Sequence, residues 1–273
     1  MDAEIITVTD FTGISRWRDQ FVVDNGLPFL VVIGPGGLGK SQMFKRYLPD
    51  GSLYLSGELS AVQLFVQLYR HRDQLVVFDD VDPLFRIAAI VNMLKSLGNT
   101  DAEKTLFWNK LNRQLEKLGI PTQFTTRSRV CILANSLDHI NANLAAVLDR
   151  GFVVRFEPTF DSVHEEVRTW FTDDEIYNFI GSHRRLISRP SMRLYAKALD
   201  MKSAGGDWKG VLLQYWTQGD VKLRLALQVC ENPSLTTAEE RVQRFADLGG
   251  GSRATFMRKQ KELRDLLGDR AAA

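Results

Sequence analysis

The sequence predicts an α/β domain, a parallel sheet of about five strands with flanking helices, followed by a helical region and a C-terminal helical hairpin. Three observations carry that expectation. Five short β-branched or apolar runs alternate with segments of helical spacing, the pattern of strands buried on both faces and joined by crossover helices. The first run passes straight into a glycine-rich turn, "GPGGLGKS". After Pro158 the strand signals stop and helical spacing continues alone.

Taken in order, "PFLVVIG" (28–34) is an unbroken apolar run and is predicted as a buried strand, with a helix over 41–48 after it. "LYLSG" (53–57) and "LVVFDD" (75–80) supply the next two strands, separated by a helix over 60–71. Helices over 83–98 and 102–119 precede the strand "RVCILAN" (129–135), and a helix over 143–150 precedes "FVVRFEP" (152–158). Between them "PTQFTTRSR" reads as a surface hairpin. Helical spacing then covers 163–171, 173–182, 191–201, 208–216 and 221–230. "ENPSL" brings a proline and capping residues, and a last pair of helices follows over 236–248 and 252–267. The expected divisions are 1–157, 158–230 and 231–273.

A chain of 273 residues, 44% hydrophobic, can bury a sizeable core. Its net charge of +2 implies no general attraction to nucleic acid or membrane, so partners must be sought locally. Two cysteines, Cys131 and Cys230, make neither a disulfide framework nor a zinc site, and a reducing cytoplasm fits best. The start "MDAEIITVTD" lacks the basic and apolar stretches of a signal peptide, and no run approaches the ~20 apolar residues of a membrane span.

The chemistry concentrates after the first strand. Gly34, Pro35, Gly36, Gly37, Leu38, Gly39, Lys40 and Ser41 match G-x-x-x-x-G-K-[ST] between a predicted strand and a helix that opens through Gln42. Glycines let the backbone curl so that amide hydrogens converge on phosphate oxygens; Lys40 adds a cation and Ser41 an oxygen for magnesium. ATP and Mg2+ are the expected ligands. "LVVFDDVD" then offers Asp79 at a strand end to contact magnesium and Asp80 to polarise the attacking water, with Asp82 a weaker substitute. His71, His139, His164 and His183 have no metal-ligand spacing.

These residues resemble the AAA+ ATPases, ring- or helix-forming P-loop machines, over about residues 28–200. Gly34 to Ser41 look like the Walker A element and Asp79-Asp80 like Walker B, although Asp80 stands where that family usually has Glu. The resemblance implies a sensor-1 role for Asn135, which closes "VCILANS". It also implies that Arg150, in "AVLDRGFVVRF", reaches a neighbouring subunit's nucleotide, with Arg155, Arg127 and Arg129 as rivals. Arg193, in "SRPSMRLYAKAL", resembles the sensor-2 arginine of a helical lid, with Arg189 its near rival. A homo-oligomer, ring or filament, follows from the same resemblance, and in such a ring "TTRSR" (125–129) would be placed to touch a polymer.

The tail "TTAEERVQRFADLGGGSRATFMRKQKEL" resembles a helix-turn-helix, and from Arg241 onward it holds eight Lys or Arg against four Asp or Glu. Ser252, Arg253, Thr255 and Arg258 fall near the start of its second helix, where base edges and phosphates are met, while Phe256, Leu263 and Leu266 supply a buried side. The reading is an ATP-hydrolysing machine that self-assembles and acts on DNA, in replication, transposition or plasmid maintenance. The alternatives are a protein-remodelling ATPase and a non-hydrolysing, ATP-dependent assembly switch.

Overall fold

β1 (Ile5–Val8), β2 (Phe29–Ile33), β3 (Leu53–Ser56), β4 (Leu75–Asp79), β7 (Arg129–Ala134) and β8 (Phe152–Phe156) form one parallel sheet in the order β1-β8-β2-β7-β4-β3. The computed structural model describes residues 4–80, 86–136 and 142–267. It divides into two compact units, Met1–Ser162 and Val163–Ala273.

The sixth strand is β1, which the sequence did not announce: its four residues pair in parallel with β8 at the sheet's edge. Edge position explains the weak signal, because Ile5 is exposed and only Val8 is buried. The central strands behave as predicted. All five residues of β2 are buried. Val31 and Ile33 share a core with Val76, Phe78, Val130 and Ile132, with Leu64, Phe65 and Leu68 of α3 (Ala61–Arg70), and with Ile90, Leu94 and Leu97 of α4 (Ala88–Leu97). The alternate residues Leu30, Val32, Val77 and Leu133 are equally buried on the other face. There α1 (Phe11–Val22), also unforeseen, sets Phe11 edge-on to Phe156 with ring centroids 5.1 Å apart.

The helix predicted over 102–119 is a correction. β5 (Lys104–Phe107) pairs antiparallel with β6 (Gln123–Thr126), and only α5 (Arg113–Lys117) is helical between them. Asn112 caps α5 through hydrogen bonds from Gln114 N and Leu115 N, so the helix begins at Arg113 rather than at residue 102. Lys104 is buried and donates to the Ser128 carbonyl at 2.8 Å, anchoring the hairpin's base.

The second unit is helical: α7 (Phe160–Arg168), which crosses the boundary, then α8 (Asp174–Ser182), α9 (Arg193–Ser203), α10 (Trp208–Trp216), α11 (Val221–Cys230), α12 (Ala238–Asp247) and α13 (Arg253–Leu267). Aspartates 173, 207 and 220 cap α8, α10 and α11, and Thr237 with Glu240 forms a capping box on α12. Along α13, Phe256 and Leu263 are buried and Phe256 meets Phe245 of α12 with centroids 5.2 Å apart. Leu266, expected in that buried side, is 37% exposed, since it falls off the Phe256–Leu263 stripe. Lys259 pairs with Asp220 at 2.7 Å and so ties α13 to the start of α11. Among the described residues no helix is long and apolar enough to cross a membrane.

Candidate functional site

The loop after β2 is shaped by its glycines. A Cβ on Gly34 would lie 2.4 Å from the Phe156 carbonyl oxygen, so only glycine lets β2 leave the sheet beside β8. Gly37 and Gly39 take φ of 86° and 75°, turning the chain into α2 (Lys40–Lys45). Lys40 is buried at the loop's centre, and its Nζ donates to Gly34 O at 2.6 Å and Pro35 O at 2.9 Å. Leu38 is buried beneath the turn, while Pro35, Gly36 and Gln42 are exposed and Ser41 is half-buried.

Sheet order supplies the neighbours. β7 lies between β2 and β4, with Ile33 opposite Ala134 and Asp79 opposite Leu133, so the ends of all three strands sit side by side. Asn135, one residue past β7, reaches both ways: its Oδ1 accepts from Lys40 Nζ at 3.5 Å, and its Nδ2 donates to Asp80 Oδ1 at 3.0 Å. Asp80 is exposed at the end of β4 and holds φ of 54°, a left-handed conformation.

Tyr54 of β3 joins this group without having been signalled by any motif. Its hydroxyl donates to Asp79 Oδ2 at 2.5 Å. Burial, and then the adjacent Asp79, push the phenol well above its ordinary range, so it stays protonated. The register shows why: Ser56 is opposite Asp79, which leaves Tyr54 two residues back on the same face. Beneath them Cys131 is fully buried, and burial followed by Asp79 raises its thiol well above the usual value.

The arrangement also suits a hard cation. Ser41 and Asp79 offer oxygen donors, the type Mg2+ takes when most of its shell is water and phosphate. No group of three or more His, Cys, Asp or Glu able to hold a metal occurs among the described residues. Asp82 and His139 lie outside the described residues.

The arginines separate. Arg150 is exposed in the turn after α6 (Ala142–Leu148), with Nη1 donating to Ala146 O at 2.6 Å. Arg129 donates to Phe21 O at 2.9 Å and Val23 O at 2.5 Å, closing the end of α1. Arg127 and Arg155 face Glu103 and Glu157, each at 3.9 Å. In the second unit Arg193 is exposed at the first residue of α9. Ser252 and Thr255 serve the start of α13, where Thr255 N donates to Ser252 Oγ at 3.3 Å; Arg253 faces Glu239 at 3.6 Å, and Arg258 is exposed.

This parallel sheet, with a glycine loop and Lys40 after β2 and polar residues ending β7 and β4, is the AAA+ P-loop ATPase fold. Cdc6p from Pyrobaculum aerophilum has the same fold, aligning over 93% of this chain and 84% of its own with a TM-score of 0.52 at 13% identity. A RuvB mutant from Thermotoga maritima aligns over 95% and 84% with a TM-score of 0.47 at 12% identity. In sequence, an uncharacterized 36.7 kDa protein from the nrdC-mobD intergenic region of Enterobacteria phage T4 is 23% identical over 139 residues, 48% of this chain and 41% of that protein. No protein-family model matches the chain.

Proposed function

We propose that the chain binds ATP with Mg2+ at residues 34–42, hydrolyses it, assembles on itself and acts on DNA. One observation carries the nucleotide part: a single amide, that of Asn135, spans the buried Lys40 and the exposed Asp80. Lys40 and the loop amides meet the phosphates, Asn135 stands at the terminal phosphate, and Asp80 takes up the proton of the attacking water. Bound Mg2+ neutralises charge on the phosphate oxygens; Ser41 and Asp79 are the residues that would hold it. Arg150 is assigned to a neighbouring subunit's nucleotide and Arg193 to the phosphates of its own.

Calorimetry with ATP and a phosphate-release assay test this reading. Lys40→Ala should lose on the order of 100-fold in affinity, because a buried phosphate charge is left without its cation. Asp80→Asn should keep ATP and lose about 100-fold in turnover. Unchanged affinity in the first variant or unchanged turnover in the second would defeat the assignment.

A second reading, ATP-driven assembly without turnover, is favoured by Asp80 itself. Its side chain is one methylene shorter than glutamate, and its backbone is fixed at φ 54° with Oδ1 already bonded to Asn135. Wild-type protein that assembles with ATP but releases no phosphate would select it.

The DNA part rests on α13, where Arg258 is exposed on a basic helix. Because α13 contributes buried Phe256 and Leu263 to its unit, a point substitution is the proper test rather than removal of the tail. If Arg258 meets a phosphate, Arg258→Ala should reduce the slope of log affinity against log salt by about one, read by fluorescence anisotropy on labelled duplex. An unchanged slope would remove Arg258 from the interface, and no duplex binding by wild type would favour a protein client.

A further inference from the structure

One of the two residues assigned to magnesium is held by a third. Tyr54 has one hydroxyl proton, and Asp79 Oδ2, an acceptor 2.5 Å away, takes it. The bond engages Oδ2 and makes no demand on Asp79 Oδ1, whose lone pairs stay available to a cation. The ring itself is held, with Lys45 Nζ 5.3 Å from its centroid on α2. Tyr54 and Asp79 belong to adjacent strands, so the hydroxyl ties the end of β4 to β3.

From this geometry we infer that Tyr54 is a positioning residue for magnesium, acting through Asp79. The inference rests on the nucleotide reading above and adds to it a residue outside the loop and outside the strand ends. Without the hydroxyl, Asp79 loses the donor that fixes its carboxylate plane. Loss of such an outer partner typically costs about 10–100-fold in metal affinity.

The test compares wild type with Tyr54→Phe, which keeps the ring and removes only the hydroxyl. The analogue AMP-PNP is titrated by calorimetry, once with Mg2+ and once with EDTA. The two proteins should bind equally in EDTA, and the gain in affinity from Mg2+ should be about 10-fold smaller in the variant. In an Asp79→Asn background Tyr54→Phe should add no further loss, since its effect passes through that carboxylate. An equal Mg2+ gain in wild type and variant overturns the inference. So does an equal loss in both buffers, or an early melt by circular dichroism, because the hydroxyl would then support the loop rather than the ion. Wild type that binds AMP-PNP without any Mg2+ gain overturns the metal assignment, and wild type that does not bind AMP-PNP overturns the nucleotide reading with it.

Discussion

Asn135 has one amide group and two neighbours of opposite charge, and that fixes its orientation: the carbonyl oxygen faces the Lys40 ammonium and the amide hydrogens face Asp80. Alanine at this position breaks both bonds without touching the loop. Asn135→Ala should therefore keep nucleotide affinity within about 3-fold and lower turnover by about 100-fold, the usual cost of losing one oriented polar group at a reacting phosphate or oxyanion. Calorimetry beside steady-state phosphate release checks it, and parallel losses in both would make Asn135 a binding residue only. Asn135 was singled out through the family resemblance, and it lies one residue past β7. Tyr54 belongs to no motif: its bond to Asp79 depends on Ser56 standing opposite Asp79, and strand register between β3 and β4 leaves no mark in either run taken alone.

At the scale of elements, the same distinction recurs. Runs buried on both faces, β2 and β7 above all, were readable from apolar continuity, whereas β1 buries only Val8 of its four residues and so shows no buried face in its sequence. In β5 the one buried charged residue, Lys104, broke the apolar pattern that would have marked a strand. The helices of the second unit were easier to read, and charge ties them together: Lys202 lies 2.7 Å from Asp173 and 2.8 Å from Glu175, and Lys209 lies 2.7 Å from Glu175. These bonds join the start of α8 to α9 and α10. Hydrogen bonds from Lys202 hold the carboxyls of Asp173 and Glu175 below their ordinary range, and Lys259 does the same to Asp220. With native values below unfolded ones, their stabilisation is complete above the ordinary carboxylate range, about pH 4–5, and is lost as pH falls towards the native values. Lys202→Met should accordingly lower Tm only modestly at pH 7, since solvent screens exposed pairs, and should make Tm less sensitive to acid below about pH 4. Circular dichroism melts at both pH values measure this. A drop of the same size at each would mean that Lys202 acts by packing against Trp208 rather than by its charge.

At the scale of the molecule, the position of Arg150 makes its assignment depend on assembly. All strands of the sheet are parallel, and Lys40, Asp80 and Asn135 gather where β2, β4 and β7 end. Arg150 precedes β8, whose Phe152 stands opposite Leu30 at the beginning of β2. The five residues of β2 span roughly 16 Å at about 3.3 Å per residue, more than an arginine side chain can reach. Arg150 therefore lies at the wrong end of its own sheet to meet its own nucleotide, and any role at a phosphate must be played in a neighbouring copy. Contacts of that kind are heterologous, one face meeting a different face, and they generate rings or filaments. Arg150→Ala should bind ATP as wild type does and hydrolyse it poorly, because a planar, permanent charge is removed from the developing phosphoryl charge next door. Asp80→Asn fails for the complementary reason, having Arg150 but no base. In an equal mixture about one interface in four pairs an intact Asp80 with an intact Arg150, so phosphate release should rise above that of either variant alone, towards about a quarter of the wild-type rate. A mixture no more active than its parts would remove Arg150 from the neighbour's site, and a fully active Arg150→Ala protein would remove it from the reaction.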